Sequence, residues 1–204
     1  MKISRHRLIL GLMIATTIAS ALVIFWVVRE HREKKKAILT VKESVLYRSR
    51  QPDPLKAGEL SQRGITQVIN FRERYEDENT FDVEAAACRQ AGVKYVNIGI
   101  GTLLPSDRQV ETFLRLVIAN PGATLVHCCM GKSRTGMMVT CYLIVVEGWT
   151  FDRAMDDFLQ NYYKEPPERH RDGDHAKIVT PLFQRLFNDR KAWLDKIHNP
   201  STQP

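Results

Sequence analysis

The stretch of sequence that decides the fold is His127-Cys128-Cys129-Met130-Gly131-Lys132-Ser133-Arg134-Thr135-Gly136. Before it comes Ala123-Thr124-Leu125-Val126, which is short, apolar and β-branched, as a buried strand would be. After it the chain stays apolar, without a helix breaker, until Gly148, which is typical of a core helix. The stretch therefore predicts a strand, a tight loop and a helix N-terminus. Free backbone N–H groups and the positive end of the helix dipole make such a loop an anion site.

The loop has a cysteine, five residues and then an arginine, a spacing that wraps backbone around a tetrahedral phosphate. Cys128 is the predicted nucleophile, since the thiolate is the reactive form and nearby positive charge stabilises it. Arg134 is predicted to grip two phosphate oxygens with its planar fork and to follow them into the transition state. Thr135 places a hydroxyl just past the arginine, where it could stabilise the sulfur as the sulfur leaves phosphorus.

The remaining residues of the loop have supporting roles. His127 is predicted to order the loop from behind, and Gly136 and Gly131 let the backbone turn sharply and approach closely. The predicted substrate-binding residues of the loop are Cys129, Met130, Gly131, Lys132 and Ser133.

This pattern resembles the cysteine-dependent protein tyrosine phosphatase superfamily, whose signature is His-Cys-x5-Arg-Ser/Thr. Upstream, Leu46-Tyr47-Arg48-Ser49-Arg50-Gln51-Pro52 looks like the atypical dual-specificity branch. The resemblance covers roughly Val41 to Tyr163. It implies hydrolysis of phosphomonoesters through a phosphocysteine, without a metal or another cofactor. Members of that branch act on phosphoproteins, phosphoinositides or inositol pyrophosphates.

Other functions of the same residues are disfavoured. A nucleotide-binding loop needs a glycine five positions before Gly131, where Val126 stands. No Cys-x2-Cys pair indicates a zinc site, and the four cysteines lack the spacing of a disulfide framework. Cys88 and Cys141 lie in apolar helical patterns and are predicted to be small core residues.

The general acid departs from the pattern that the resemblance implies. The family's usual acid is an aspartate on a loop before the signature, and Gly99-Ile100-Gly101-Thr102-Leu103-Leu104 has none. Asp107 is the nearest candidate for the catalytic acid, and Glu111 is a weaker one. The alternative for Asp107 is a helix-start residue, because Ser106 to Gln109 reads as a capping box.

Basic residues outside the loop could also meet the substrate. Arg72 follows a predicted strand, and strand C-terminal edges meet ligands in α/β sheets, so it is a predicted substrate-binding residue. The alternative is a surface ion pair of Arg72 with Glu73 or Glu76. Arg50 is a weaker candidate for the rim.

The N-terminal part of the chain suggests a membrane. Leu8–Val28 contains no charged residue and is predicted to be a transmembrane anchor, with membrane lipid as its partner. A cleavable signal peptide ending near Ala19-Ser20-Ala21 is the alternative. The charges that flank the run favour a single-pass membrane protein with a cytoplasmic catalytic domain.

Charge is concentrated in the same region. The first 36 residues hold eight basic and two acidic residues, which give +6 of the chain's net +7. The basic character therefore does not indicate a nucleic-acid partner.

The rest of the chain predicts alternating strands and helices, and so an α/β fold with a mostly parallel central sheet flanked by helices, preceded by one transmembrane helix. The predicted strands are Val45–Arg48, Gln67–Phe71, Lys94–Ile98 and Ala123–Val126; the predicted helices are Leu55–Arg63, Phe81–Ala91, Asp107–Ala119, Thr135–Glu147, Phe151–Tyr162 and His175–His198. The predicted organisation is a basic tail (1–7), the anchor (8–28), a basic linker (29–40), a phosphatase domain (41–198) and a second tail (199–204).

The sequence thus predicts a membrane-anchored, cysteine-dependent phosphatase. Its predicted partners are phosphorylated proteins carrying phosphotyrosine, phosphoserine or phosphothreonine. The alternative substrates are a phosphoinositide or an inositol (pyro)phosphate. A phosphate-binding pseudophosphatase is the alternative from a different class, because the loop aspartate is missing.

Overall fold

The structure, a computed structural model, describes residues 13–14, 16–28, 38–101, 104–163 and 174–199. The chain divides into two compact units, Met1–Ala37 and Ile38–Pro204. In the first unit, residues 13–14 and 16–28 are helical, and we call this helix α1.

The prediction of a membrane anchor is wrong. Within the described residues, no helix combines the length and the apolar character that a bilayer crossing requires. Three further predictions depend on the anchor and are wrong with it. They are the transmembrane helix of the predicted fold class, membrane lipid as a partner, and a single-pass membrane localisation with a cytoplasmic domain. Residues 8–12 and 15 of the predicted anchor lie outside the described residues.

The second unit contains a five-stranded mixed sheet flanked by helices, with strand order β1-β2-β5-β3-β4. The strands are β1 (Leu39–Lys42), β2 (Leu46–Ser49), β3 (Ile65–Asn70), β4 (Lys94–Asn97) and β5 (Ala123–His127). The β2–β5, β5–β3 and β3–β4 pairs are parallel, and β1 pairs antiparallel with β2. Strand β1 was not predicted, and its first two residues, Leu39 and Thr40, lie in the predicted linker.

The helices of the second unit follow the strands. They are α2 (Ala57–Gln62), α3 (Glu78–Gln90), α4 (Asp107–Ala119), α5 (Ser133–Val145), α6 (Phe151–Phe158), α7 (Asp174–Asn188) and α8 (Arg190–His198). Each lies within a few residues of a predicted helix, except that the last predicted helix is two, separated at Asp189.

Two hydrophobic clusters cover the two faces of the sheet. Ile69 and Val126 belong to the larger cluster with α4 to α8, whereas Val68 and Leu125 belong to the smaller one with residues of α2 and α3. This alternation follows from the two-residue period of side chains along a strand. Helix α5 lies in the larger cluster, and its residues from Thr135 to Val145 are all buried. The element that carries the end of the signature loop is therefore held by the core.

The registers of the parallel strands position the functional site. All five residues of β5 are buried, as expected for a central parallel strand. Its last residue, His127, is in register with Ser49 of β2 and with Asn70 of β3. The segments that follow these three strands therefore start side by side at one edge of the sheet.

Candidate active site

The loop from Cys128 to Lys132 joins β5 to α5, as the sequence predicted. Gly131 adopts a left-handed conformation with φ of 65°. A Cβ at this position would lie 2.7 Å from the backbone nitrogen of Arg50, and closer still to the carbonyl oxygen of Ser49. Only glycine fits there, because both the conformation and the contact exclude a side chain.

Neighbouring strands brace the loop through hydrogen bonds to its carbonyl groups. Arg48 Nη2 donates to the Gly131 oxygen at 3.2 Å, and the Gln51 nitrogen donates to the Cys129 oxygen at 3.1 Å. On the other side, the Phe71 nitrogen donates to the His127 oxygen at 2.9 Å. These bonds fix the backbone of the loop through its carbonyl groups, and the backbone N–H groups of such a loop are the groups that bind an anion.

Four free cysteines differ sharply in their surroundings. Cys128 is 4% exposed at the start of the loop, and Cys129 beside it is exposed. Burial raises the pKa of Cys88 to about 12 and that of Cys141 further still. Those two thiols are core residues, as predicted, and are poorly suited to nucleophilic chemistry.

The remaining loop residues divide between the surface and the interior. Met130 and Lys132 are exposed, Ser133 is half-buried, and Gly136 is buried in the first turn of α5, where its nitrogen donates to the Lys132 oxygen. The Thr135 hydroxyl is fully buried, and no hydrogen-bond partner for its Oγ1 exists among the described residues.

His127 is fully buried and faces a buried carboxylate that the sequence did not single out. Its Nε2 lies 3.0 Å from Oε1 of Glu84 on α3, which is 1% exposed. The other oxygen of Glu84 accepts hydrogen bonds from Asn70 Nδ2 at 3.1 Å and from the Tyr95 hydroxyl at 3.2 Å. Burial alone would raise the pKa of Glu84, but His127, with smaller contributions from Gln51 and Tyr95, outweighs it and lowers that pKa. His127 thus lies behind the loop, away from solvent.

Arg134 is engaged by a second carboxylate from another segment. Its Nη1 donates to Oε1 of Glu76, its Nη2 donates to Oε2 at 3.1 Å, and Nη1 also lies 3.3 Å from the Ile100 carbonyl oxygen. The Arg134 hydrogen bond is the main cause that lowers the pKa of Glu76 to about 2. Glu76 therefore stays ionised at any ordinary working pH.

Arg72 lies in the same cluster. Its side chain is 9% exposed, and its Nε lies 3.6 Å from Glu76 Oε2. Its Nη1 donates to Gln51 Oε1 at 3.0 Å, and its Nη2 lies 3.9 Å from Asp77 Oδ2. The structure therefore brings Arg72 and Arg134 to one carboxylate. The ion pair with Glu76, which the sequence offered as an alternative, exists, with the Arg72 side chain 9% exposed and the Glu76 side chain 24% exposed.

Asp107 lies elsewhere. Its Oδ1 is 2.5 Å from Nη2 of Arg185 on α7, and both side chains are about half exposed. Ser106 and Gln109 form the predicted capping box at the start of α4. Glu111 pairs with Arg115 and Lys196. Within the described residues, neither carboxylate pairs with a residue of the signature loop.

A third carboxylate occupies the place where the resemblance implies an acid loop. A Cβ on Gly99 would lie 2.5 Å from Oε2 of Glu73, so the Glu73 carboxylate fills that space. Glu73 also caps the short 3-10 helix Arg74–Glu76, and its own nitrogen donates to Glu76 Oε1 at 2.9 Å. Thr102 and Leu103 lie outside the described residues.

These features show what sequence reasoning missed. Glu84 was not identified, and Glu73 and Glu76 were considered only as possible ion-pair partners of Arg72. No local signal distinguishes them from the other acidic residues of their segments. Across the described part of the chain, no group of three or more His, Cys, Asp or Glu side chains has the arrangement of a metal site.

Comparison with known proteins is consistent with this geometry. Residues 32–200 match the model of the tyrosine phosphatase family. The dual specificity protein phosphatase TpbA of Pseudomonas aeruginosa is 30% identical over 114 residues, which cover 55% of this chain and 49% of that protein. The inositol diphosphatase DSP3 of Arabidopsis thaliana is 29% identical over 153 residues, 72% of each chain.

A solved structure extends the likeness to the fold. The crystal structure of P. aeruginosa TpbA aligns with a TM-score of 0.53 at 23% identity, covering 75% of this chain and 97% of that chain. In sequence, this chain spans about half the length of the full TpbA protein.

Proposed function

Because this chain belongs to the tyrosine phosphatase family, we propose that it hydrolyses phosphomonoesters through a covalent phosphocysteine at Cys128. The observation that carries the proposal is the braced loop between β5 and α5, with Cys128 at its start and Arg134 at its end. Cys128 is the nucleophile of choice because Cys88 and Cys141 are core thiols with raised pKa values.

The proposed reaction has two steps. In the first, the Cys128 thiolate attacks phosphorus, the S–P bond forms, and the bond from phosphorus to the leaving oxygen breaks. In the second, water attacks phosphorus, the S–P bond breaks, and phosphate and the thiolate are released. Loop amides and the Arg134 guanidinium stabilise the charge that develops on the phosphoryl oxygens. The buried Thr135 hydroxyl is the proposed donor to the departing sulfur.

Supporting roles follow from placement. His127, held against Glu84, keeps the loop in position, and Gly136 allows α5 to start there. The residues from Cys129 to Ser133 contribute backbone to the phosphate cradle. Of their side chains, the exposed Lys132 is the one that adds positive charge at the rim.

The proposed substrates are phosphorylated proteins, with phosphotyrosine, phosphoserine or phosphothreonine as the reacting group. The name of TpbA, a dual specificity protein phosphatase, supports this class. An inositol (pyro)phosphate is the second candidate, supported by the inositol diphosphatase relative and by the pairing of Asp107 with Arg185. A pyrophosphate oxygen leaves without much help from an acid, so a site without a loop aspartate suits it.

A substrate panel on the full chain decides between these candidates. Phosphopeptides, phosphoinositides and inositol pyrophosphates are compared by kcat/KM, with the Cys128→Ser protein as the blank. Highest kcat/KM on phosphopeptides supports a protein phosphatase, and highest kcat/KM on an inositol pyrophosphate supports the second candidate. Binding of phosphate with no turnover of any substrate would support a pseudophosphatase and reject hydrolysis.

A further inference from the structure

Three charged side chains form a continuous set of ion pairs beside the signature loop: Arg72, Glu76 and Arg134. Glu76 pairs with Arg134 through both of its oxygens, and Arg72 lies against one of them at 3.6 Å. We call this group the Arg72–Glu76–Arg134 cluster. It joins the end of β3 to the first turn of α5, two segments that are distant in sequence.

The contacts occupy a particular edge of the Arg134 guanidinium. Both terminal nitrogens point at Glu76, and Nη1 also donates to the Ile100 carbonyl. Among the described residues, Nε of Arg134 has no such partner. A guanidinium offers a second two-donor edge, formed by Nε and one terminal nitrogen, which suits two phosphate oxygens. The edge formed by Nη1 and Nη2, which we call the outer edge, is therefore held by protein. The edge formed by Nε and Nη2 is left for a ligand.

We propose that Glu76 is a positioning residue, which holds Arg134 by its outer edge so that the Nε/Nη2 edge meets the phosphoryl group. We further infer that Arg72 acts through Glu76 and does not bind the substrate. Both statements rest on the proposed function, because they assign Arg134 to the phosphoryl group.

The surroundings of Arg72 support the second statement. Its Nη1 donates to Gln51, its Nε and Nη2 lie 3.6 Å and 3.9 Å from the carboxylate oxygens of Glu76 and Asp77, and its guanidinium lies over the Phe81 ring at 5.7 Å. With 9% of its side chain exposed and a carboxylate near each of Nε and Nη2, its guanidinium offers a phosphate little accessible surface. Its charge instead favours the ionised form of Glu76, which the low pKa of that carboxyl group reflects.

The opposite role for Glu76 is a carboxylate that competes with phosphate for Arg134. The two roles predict opposite signs when the charge is removed. A positioning carboxylate helps the ligand, so its loss weakens binding and slows turnover. A competing carboxylate blocks the ligand, so its loss tightens binding.

The deciding experiment compares Glu76→Gln with wild type in the full chain. The measurements are kcat and KM for an aryl phosphate, the dissociation constant of tungstate as a phosphate analogue, and the thermal midpoint. We expect kcat to fall roughly tenfold to a hundredfold, because misplacement of a transition-state donor costs about that much. We also expect tungstate to bind several-fold more weakly. Unchanged kcat or tighter tungstate binding would overturn the proposal.

Arg74→Met is the matched control. Arg74 lies in the same short helix and pairs with Asp82 at 2.7 Å, but both side chains are more than half exposed. Its kcat and tungstate binding should equal those of wild type. If Glu76→Gln lacks a cooperative thermal transition, Glu76→Asp replaces it. The shorter aspartate should hold Arg134 less well, so kcat should fall. A kcat equal to that of wild type would then count against the proposal.

The role of Arg72 is decided by a double-mutant cycle with Arg72→Met. If Arg72 acts through Glu76, the Arg72→Met/Glu76→Gln protein loses no more kcat than the more damaged single variant. Losses that multiply would place Arg72 on the substrate and overturn the inference. Absence of turnover in wild type would reject the proposed function, while tungstate binding would still decide the role of Glu76.

Discussion

The signature loop and the segment that faces it, Arg72 to Asp77, both serve the candidate site but are held by different forces. The loop is shaped by backbone: a left-handed Gly131 and carbonyls fixed by Arg48, Gln51 and Phe71. The facing segment is shaped by charged side chains, with Glu76 between Arg72 and Arg134. The phosphate-binding loop is thus shaped by backbone geometry, whereas the orientation of the Arg134 side chain depends on charged neighbours.

The loop and the facing segment should respond differently to salt, to pH and to substitution. A backbone cradle is insensitive to salt and fails only when a residue that it requires is replaced. Contacts between partly exposed charges are screened by salt and change with pH in a graded manner. Loss of the Cys128 thiol should therefore abolish chemistry, and loss of the Glu76 charge should reduce it by degrees.

The largest expected effect is that of Cys128→Ser. This substitution removes the nucleophile and leaves the cradle intact, so turnover should fall to the background rate while tungstate still binds. Activity toward an aryl phosphate and tungstate calorimetry on the same preparation measure the two properties. Substantial residual hydrolysis would contradict the phosphocysteine mechanism.

The matched control for that variant is Cys129→Ser, the neighbouring and exposed thiol. It should retain most of the wild-type kcat, because the loop uses backbone at this position. If it is as inactive as Cys128→Ser, the assignment of Cys128 alone as the nucleophile is wrong.

Arg134→Lys is expected to have the next largest effect. A lysine keeps the charge but cannot use one edge for Glu76 and another for phosphate, so kcat should fall by roughly two or more orders of magnitude. Arg74→Lys, in the facing segment, is the control and should leave kcat unchanged. A near-wild-type rate for Arg134→Lys would mean that Arg134 does not meet the phosphoryl group.

Asp107→Asn should have a small effect on catalysis, because its carboxylate pairs with Arg185 and not with the loop. We expect rates on an alkyl and an aryl phosphate to fall by less than about threefold each, as for other partly exposed positions. The ratio of the two losses is the informative quantity. A much larger loss on the alkyl phosphate would assign Asp107 as the general acid after all.

The smallest expected effect concerns stability at low pH. The pKa of Glu76 falls to about 2 in the folded protein, mainly because Arg134 donates to it. A depressed carboxyl pKa adds stability that is complete above the unfolded pKa and is lost as pH falls toward the folded value. Urea midpoints between pH 5 and pH 3 should therefore fall more steeply for wild type than for Glu76→Gln. Parallel lines would show that the ion pair does not persist in solution.

The sequence was informative where structure is local. The strand before Cys128, the loop, the helix after it and the capping box at Ser106 all depend on neighbours in the chain, and each was predicted. The partners of Arg134 and His127 could not be predicted, because Glu76 and Glu84 reach them from other segments, and hydrophobic periodicity does not show which of several carboxylates is buried.

Two errors have equally specific causes. The uncharged run ending at Val28 met the length rule for a membrane span, yet among the described residues no helix has both the length and the apolar character to cross a membrane. The edge strand β1 has three exposed residues in four, so it lacks the alternating pattern that reveals half-buried strands.

The most direct test of the central claim is to locate the phosphoryl group during turnover. Wild-type protein is mixed with excess aryl phosphate, quenched under denaturing conditions within one turnover and digested, and the peptides are mapped by mass spectrometry. We expect a phosphoryl group on Cys128 and none on Cys129 or Ser133. Continued turnover with the phosphoryl group on another residue, or with none on the protein, would contradict it.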